Sequence, residues 1–227
     1  MKSITSKSIA ASLSNPADGP ARAAVRVSGE GTESNPLRFA AVLRHADMAD
    51  ESSAAKRTSQ TEDCIERLNR ELDEVVKLRP ANLNVSRLKH ILVTSNEAAK
   101  PMETYYSAIV GVRIGERMAL AGIGHVAAWL FSQGECRTLI TPTIMPIDNE
   151  TSGPRVLTSA LGVGFRPEGI QQSETRLEPK DFAAIAFQAD LATESLGREN
   201  FENATQILDR LTENFSRNPA VLIVVTS

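Results

Sequence analysis

The side chains best suited to chemistry in this sequence are histidines and aspartates that lie far apart along the chain. His45 stands two residues before Asp47, which suits an acid–base pair, although a solvated turn explains the same spacing. His125 follows Gly124 and could be a metal ligand or a general acid, or it could lie in a turn, partly buried. No second His or Cys is placed to join it, so the turn is the favoured interpretation.

The two cysteines, Cys64 and Cys136, belong to no Cys-x-x-Cys or Cys/His pattern, so a structural zinc site is not expected. A single disulfide between them stays open, but two reduced, buried thiols are the preferred interpretation. Asp190 follows an apolar run and could bind a metal or accept hydrogen bonds from backbone amides. Asp190 is therefore a candidate that depends on which elements surround it.

Those elements can be predicted from hydrophobic periodicity. Apolar residues three and four apart predict helices over 59–78, 85–99 and 199–214. Short apolar runs between turn residues predict strands at 23–27, 37–43, 170–175, 182–188 and 220–225, and an antiparallel meander within 105–139. Residues 1–36 are expected to be a mostly irregular N-terminal arm with one short strand.

Composition excludes several classes of protein. The 227 residues suffice for one sizeable α/β domain, and a net charge of -3 gives no reason to expect nucleic acid as a partner. No apolar run is long enough for a transmembrane helix. The first residues contain no apolar segment typical of a secretion signal, so a cytoplasmic location is expected.

The order of several segments resembles the type 2C metal-dependent Ser/Thr protein phosphatases. GERMALAGIGHVAAWLFSQGECRTL (115–139) is similar to the central hairpins of that family. Further similar segments are RFAAVLRHADMADESSA (38–54), VLTSALGVGF (156–165), LEPKDFAAIAFQADLATESLGREN (177–200) and FSRNPAVLIVV (215–225). The resemblance implies an α+β fold over 37–227: a four-layer α-β-β-α sandwich with two central, mostly antiparallel sheets flanked by helices.

The resemblance also implies a metal-dependent reaction. In that family aspartates at strand ends hold two Mg²⁺ or Mn²⁺ ions, which prefer carboxylate oxygens. The ions activate a bridging water that attacks the phosphorus of a phosphoserine or phosphothreonine. Catalysis of this kind therefore requires several carboxylates around one cavity.

Most of those carboxylates are replaced in this chain. Aligned with the family, Ala46 and His125 stand where the family has metal-binding aspartates, and Asn218 replaces a third. Asp190 keeps its acid, but Leu191 replaces the glycine after it. Arg44 also lies close to the first of these positions and opposes dication binding. These four degenerate positions predict that no metal is bound and that no catalytic residue remains.

The sequence therefore favours a catalytically inactive pseudophosphatase that works as a regulatory protein-binding module. Two alternatives remain: a divergent metal-dependent Ser/Thr phosphatase that uses Mn²⁺ or Mg²⁺ weakly, and a structural subunit of a signalling or secretion complex. The expected partner is another protein, such as a Ser/Thr kinase, a forkhead-associated protein or a signalling or secretion component. A homodimer is a further arrangement that the sequence leaves open.

Overall fold

The computed structural model describes residues 2–6, 8–14, 22–45, 54–78, 84–99, 104–146, 155–162, 165–187, 206 and 220–227. Within these ranges the chain forms strands in two large sheets and two long helices. The strands are β1 (Lys2–Ser6), β2 (Ile9–Ser14), β3 (Ala23–Ser28), β4 (Leu37–Arg44), β5 (Tyr105–Ile114), β6 (Arg117–Ile123), β7 (Val126–Ser132), β8 (Glu135–Ile140), β9 (Ile144–Pro146), β10 (Arg155–Leu157), β11 (Leu161–Gly162), β12 (Gln171–Arg176), β13 (Phe182–Phe187) and β14 (Ala220–Thr226). The helices are α1 (Ala54–Leu78) and α2 (Val85–Ala99).

The first sheet has the strand order β1-β2-β14-β13-β7-β8, and all its pairs are antiparallel. Its two middle strands, β13 and β14, are continuous apolar runs, and Ile185 lies directly opposite Ile223. A strand that is buried on both faces has no polar face to alternate with, which explains these runs. The sequence-based prediction of an interior strand at 220–225 is confirmed.

The second sheet has the order β12-β6-β5-β4-β3, with β11 paired to the start of β5. In its centre Phe39 on β4 lies directly opposite Gly111 on β5. A Cβ at Gly111 would lie 2.2 Å from the Phe39 ring, so only glycine leaves room for the aromatic side chain. This pair fixes the register of the two central strands.

The two helices lie side by side on the outer face of the second sheet, as their apolar spacing predicts. On α1, Ile65, Leu68 and Leu72 are fully buried against the sheet, and each such side chain stabilises the fold by about 2 kcal/mol. Asn84 is the N-cap residue directly before α2, and its Oδ1 accepts a hydrogen bond from the backbone N–H of Arg87 at 3.1 Å. The helices therefore cover one whole side of the sandwich.

Three apolar clusters follow from this layering. One fills the space between the two sheets, and the second lies between the second sheet and the helices. The third lies on the far face of the first sheet, where Trp129 and Phe131 are buried. The helix predicted over 199–214 lies outside the described residues except for Gln206, which is helical.

Two predictions need correction. The stretch 105–139 is not one meander, because β5 and β6 belong to the second sheet and β7 and β8 to the first. Residues 1–36 contain three strands where one was expected. The extra strands, β1 and β2, are short mixtures of Ser, Thr and Ala with weak alternation, and β2 is held by pairing with the apolar β14. None of the described helices is long and apolar enough to cross a membrane.

Candidate functional site

The site lies where the chain passes from the second sheet to the first, between β6 and β7. Gly124 stands at this crossing with a φ of +90°, in the left-handed region that favours glycine. Its N–H donates a hydrogen bond to Thr143 Oγ1 at 2.8 Å, and its carbonyl accepts one from the Thr143 N–H at 2.9 Å. The crossing is thus held against the short segment between β8 and β9.

Ser107 on β5 connects this crossing to the end of β4. Its hydroxyl oxygen accepts a hydrogen bond from the backbone N–H of His125 at 2.7 Å. The same oxygen lies 2.6 Å from Nε2 of His45, the residue directly after β4. Ser107 is fully buried, and a Cβ at Gly124 would lie 2.4 Å from its oxygen. Glycine at the crossing is therefore what allows the hydroxyl to reach both histidines.

The two histidine rings lie together as a result. Their centroids are 5.1 Å apart in an edge-to-face arrangement, and both residues are partly exposed. Burial lowers the pKa of His45 to about 3, and the neighbouring charges of His125 and Arg22 lower it further. His45 is consequently neutral at physiological pH, and its Nε2 can accept the single proton of the Ser107 hydroxyl.

Arginines surround the same end of the second sheet. Arg22 lies beside Arg44 across β3 and β4, and the Arg44 N–H donates to the Arg22 carbonyl at 2.6 Å. Burial lowers the pKa of Arg22, as do the nearby charges of Arg44 and Arg57. Arg44 itself is buried, on the face of β4 that the helices cover. The described charges that act on Arg22 and His45 are therefore all positive.

The structure places only some of the residues singled out from the sequence. Ala46, Asp190 and Asn218 lie outside the described residues, as does Asp47, the proposed acid partner of His45. His125 is described, and the expectation that no second histidine joins it was wrong. Sequence spacing could not bring His45 to it, because the two residues meet only through the pairing of β4 with β5 and the crossing after β6.

Ser107 was missed by sequence reasoning for a related reason. Its neighbours along β5 are apolar, and no short motif marks a serine whose partners are 62 and 18 residues away in the chain. The usable signal is positional: His45 follows one strand end, and the Gly124–His125 turn follows another. A correct assignment of β6 and β7 to different sheets is needed before that signal can be interpreted.

The cysteines play no part in this site. Both are free, as predicted, but only Cys64 is buried, whereas Cys136 is partly buried. Cys64 lies on α1 against the second sheet, and burial raises the pKa of its thiol to about 12. Cys136 packs at the far face of the first sheet. Neither thiol has the lowered pKa that a reactive cysteine requires.

The fold matches solved structures, although no family model and no curated protein matches the sequence. The structure of RsbX in complex with magnesium has 12% identity and a TM-score of 0.65, covering 98% of this chain and 97% of that chain. The catalytic domain of the serine/threonine phosphatase PstP, in complex with 2 manganese ions, has 14% identity and a TM-score of 0.64, covering 96% and 98%. Serine/threonine phosphatase Stp1 from Staphylococcus aureus has 10% identity and a TM-score of 0.67, covering 100% and 97%.

This chain has the type 2C phosphatase fold. The α+β sandwich expected from the sequence resemblance is thereby confirmed over nearly the whole chain.

A pair of hard dications does not suit the side chains described at this end of the sandwich. Mg²⁺ and Mn²⁺ prefer carboxylate and water oxygens, whereas the groups here are two imidazoles, a serine hydroxyl and nearby guanidinium groups. Among the described residues, no three His, Cys, Asp or Glu side chains come together.

Proposed function

We propose that this chain is a degenerate member of the type 2C phosphatase family: a catalytically inactive pseudophosphatase that acts as a regulatory protein-binding module. The observation that supports this most directly is the pair of strand ends at the crossing. Ala46, where the family resemblance calls for one aspartate, directly follows the Arg44–His45 end of β4, and His125 after β6 stands where it calls for another. Positive and neutral groups at these positions disfavour two dications, and hydrolysis then lacks its metal-activated water.

Retention of the fold argues for a role in binding. The two sheets, the helical layer and the glycine at the crossing are all kept, although most of the acids that the resemblance calls for are replaced. A buried core of this size serves any function that needs a rigid surface. We propose that the surface binds another protein of a phosphorylation pathway in the cytoplasm, such as a Ser/Thr kinase, a forkhead-associated protein or a component of a signalling or secretion complex.

Metal titration and turnover test the inactive state. Calorimetric titration with Mn²⁺ and Mg²⁺ should give no binding at millimolar concentration, and a phosphopeptide should not be hydrolysed in the presence of Mn²⁺. An active bacterial serine/threonine phosphatase run in parallel serves as the positive control. Binding of two Mn²⁺ ions at micromolar concentration, with turnover that Asp190→Ala abolishes, would instead establish a divergent phosphatase.

Partner binding needs its own experiment. Light scattering coupled to size exclusion gives the mass of the chain alone and after mixing with a candidate kinase or forkhead-associated protein. A stoichiometric complex with one of them supports the regulatory module. A chain that elutes only as part of a fixed assembly purified from its own cells would favour a structural subunit, and a mass of twice the monomer would identify a homodimer.

A further inference from the structure

The histidine pair has the spacing of two imidazole ligands on one metal ion. His45 follows β4 of the second sheet, His125 lies in the crossing to the first sheet, and their ring centroids are 5.1 Å apart. With Zn–N bonds of about 2.1 Å and near-tetrahedral angles, two coordinated imidazoles have centroids about 5 Å apart. The observed centroid separation therefore matches that of two imidazoles on one ion.

Ser107 provides the orienting contact that metal-binding histidines usually have. Such a histidine generally donates its second ring N–H to a neighbouring acceptor, which fixes the ring and its tautomer. The Ser107 oxygen is 2.6 Å from Nε2 of His45 and has two lone pairs, so it can accept from this nitrogen as well as from the His125 N–H. His45 would then carry its proton on Nε2 and present the Nδ1 lone pair to the ion, with no net change of protonation.

We propose that His45 and His125 form a binding site for one borderline divalent transition metal ion, such as Zn²⁺ or Cu²⁺. Imidazole nitrogen suits these ions and suits Mg²⁺ and Mn²⁺ poorly. Water completes the coordination, because the described residues supply two protein ligands. Arg22 nearby opposes any cation by its charge, so the selectivity comes from the nitrogen donors rather than from the local field.

The third histidine offers a matched control. His90 is exposed on α2 and lies near Thr94, away from the pair. Zinc titration of the full chain without an affinity tag should give a single site in the wild type. His45→Gln and His125→Gln should each abolish that site, and His90→Gln should leave it unchanged. Ser107→Ala should weaken zinc binding by about 10-fold, as the loss of an orienting partner typically does.

Copper provides a readout that does not depend on variants folding correctly. The electron paramagnetic resonance spectrum of wild-type chain with one equivalent of Cu²⁺ should show hyperfine coupling to two imidazole nitrogens. Absence of that coupling, zinc binding that survives both His45→Gln and His125→Gln, or the absence of any zinc site overturns the proposal. Such results would leave the inactive pseudophosphatase untouched, because that proposal concerns Mn²⁺ and Mg²⁺ and their turnover.

Discussion

Strand β5 carries a buried polar side chain toward the other sheet near each of its ends, and the two side chains have different partners. Ser107 lies near the start of the strand and Arg113 near its end. They are six residues apart, so both face the space between the sheets at points about 20 Å from each other. Arg113 joins the two sheets, whereas Ser107 positions the side chain of a site residue.

At the far end, Arg113 is fully occupied with backbone carbonyls. Its Nε donates to the Gly115 carbonyl at 2.8 Å, and its Nη1 donates to the Thr226 carbonyl on β14 of the first sheet. A Cβ at Gly31 would lie 3.4 Å from the guanidinium group, an ordinary packing distance. Every contact of this arginine joins one part of the scaffold to another.

At the near end, Ser107 contacts the His45 ring and the backbone N–H of His125, so only one of its two partners is backbone. Both histidine residues are partly exposed. The charges near them, on Arg22, Arg44 and Arg57, are positive. Polar groups that serve only the fold are normally satisfied by the backbone, as Arg113 is. Because Ser107 positions a side chain and Arg113 bonds only to backbone carbonyls, we place the functional site at the Ser107 end of β5.

Substitution of Gly124 by alanine should have the largest effect and would test how tightly the near end is built. The positive φ costs about 1–2 kcal/mol for any residue with a Cβ, and forcing atoms into a packed site costs a further 1–3 kcal/mol. The new Cβ would meet the Ser107 oxygen at 2.4 Å. We expect the free energy of unfolding, measured in urea, to fall by about 3 kcal/mol.

The hairpin turn before β8 supplies the control. Gly134 has a φ of +80°, close to that of Gly124, but a Cβ there meets nothing within 4 Å. Gly134→Ala should therefore cost only the conformational part, about 1 kcal/mol. Equal losses at Gly124 and Gly134 would mean that the contact with Ser107 contributes nothing, and the near end would then be looser than described.

Replacement of Arg113 by methionine comes next in size and tests the far end. Methionine keeps an apolar stem but leaves the Gly115 and Thr226 carbonyls without their donor, which costs about 2–3 kcal/mol of unfolding free energy. Arg117→Met is the matched control, because Arg117 makes only an exposed ion pair with Glu174. That control should lose less than about 0.5 kcal/mol. A similar small loss at Arg113 would remove it as a link between the sheets.

The sequence predicts the scaffold much better than it predicts either end of β5. Helix α2 and strands β4, β13 and β14 follow from long apolar runs or clear periodicity, and they lie where the pattern puts them. Burial of apolar side chains is the dominant stabilising term, and the apolar pattern of the sequence shows directly which side chains are buried. β1 and β2 escape prediction because β2 is held by pairing with β14 and β1 by pairing with β2, which no local pattern encodes.

The site is harder to predict, because its members are single residues that tertiary pairing brings together. Family resemblance identified His125 as a replaced acid, but sequence spacing offered Asp47 as the partner of His45, and Asp47 lies outside the described residues. The actual contact runs through Ser107, a residue without any sequence signature. Knowing that the chain changes sheets after β6 would have been enough to bring the three together, since strand ends on one side of a sandwich share one edge.

Removal of the Ser107 hydroxyl should have the smallest of these effects and most sharply separates the two ends. Ser107→Ala leaves the His125 N–H and the His45 ring without a shared partner, and we expect a loss of about 1 kcal/mol in urea unfolding. If the hydroxyl acts mainly by holding His45, the double variant Ser107→Ala/His45→Gln should cost less than the sum of the single variants. Additive losses would mean that the serine and the histidine stabilise the fold independently. A hydroxyl that chiefly orients the partly exposed His45 ring should contribute little to the free energy of unfolding. A loss at Ser107 as large as that at Arg113 would therefore show that Ser107, too, links parts of the scaffold.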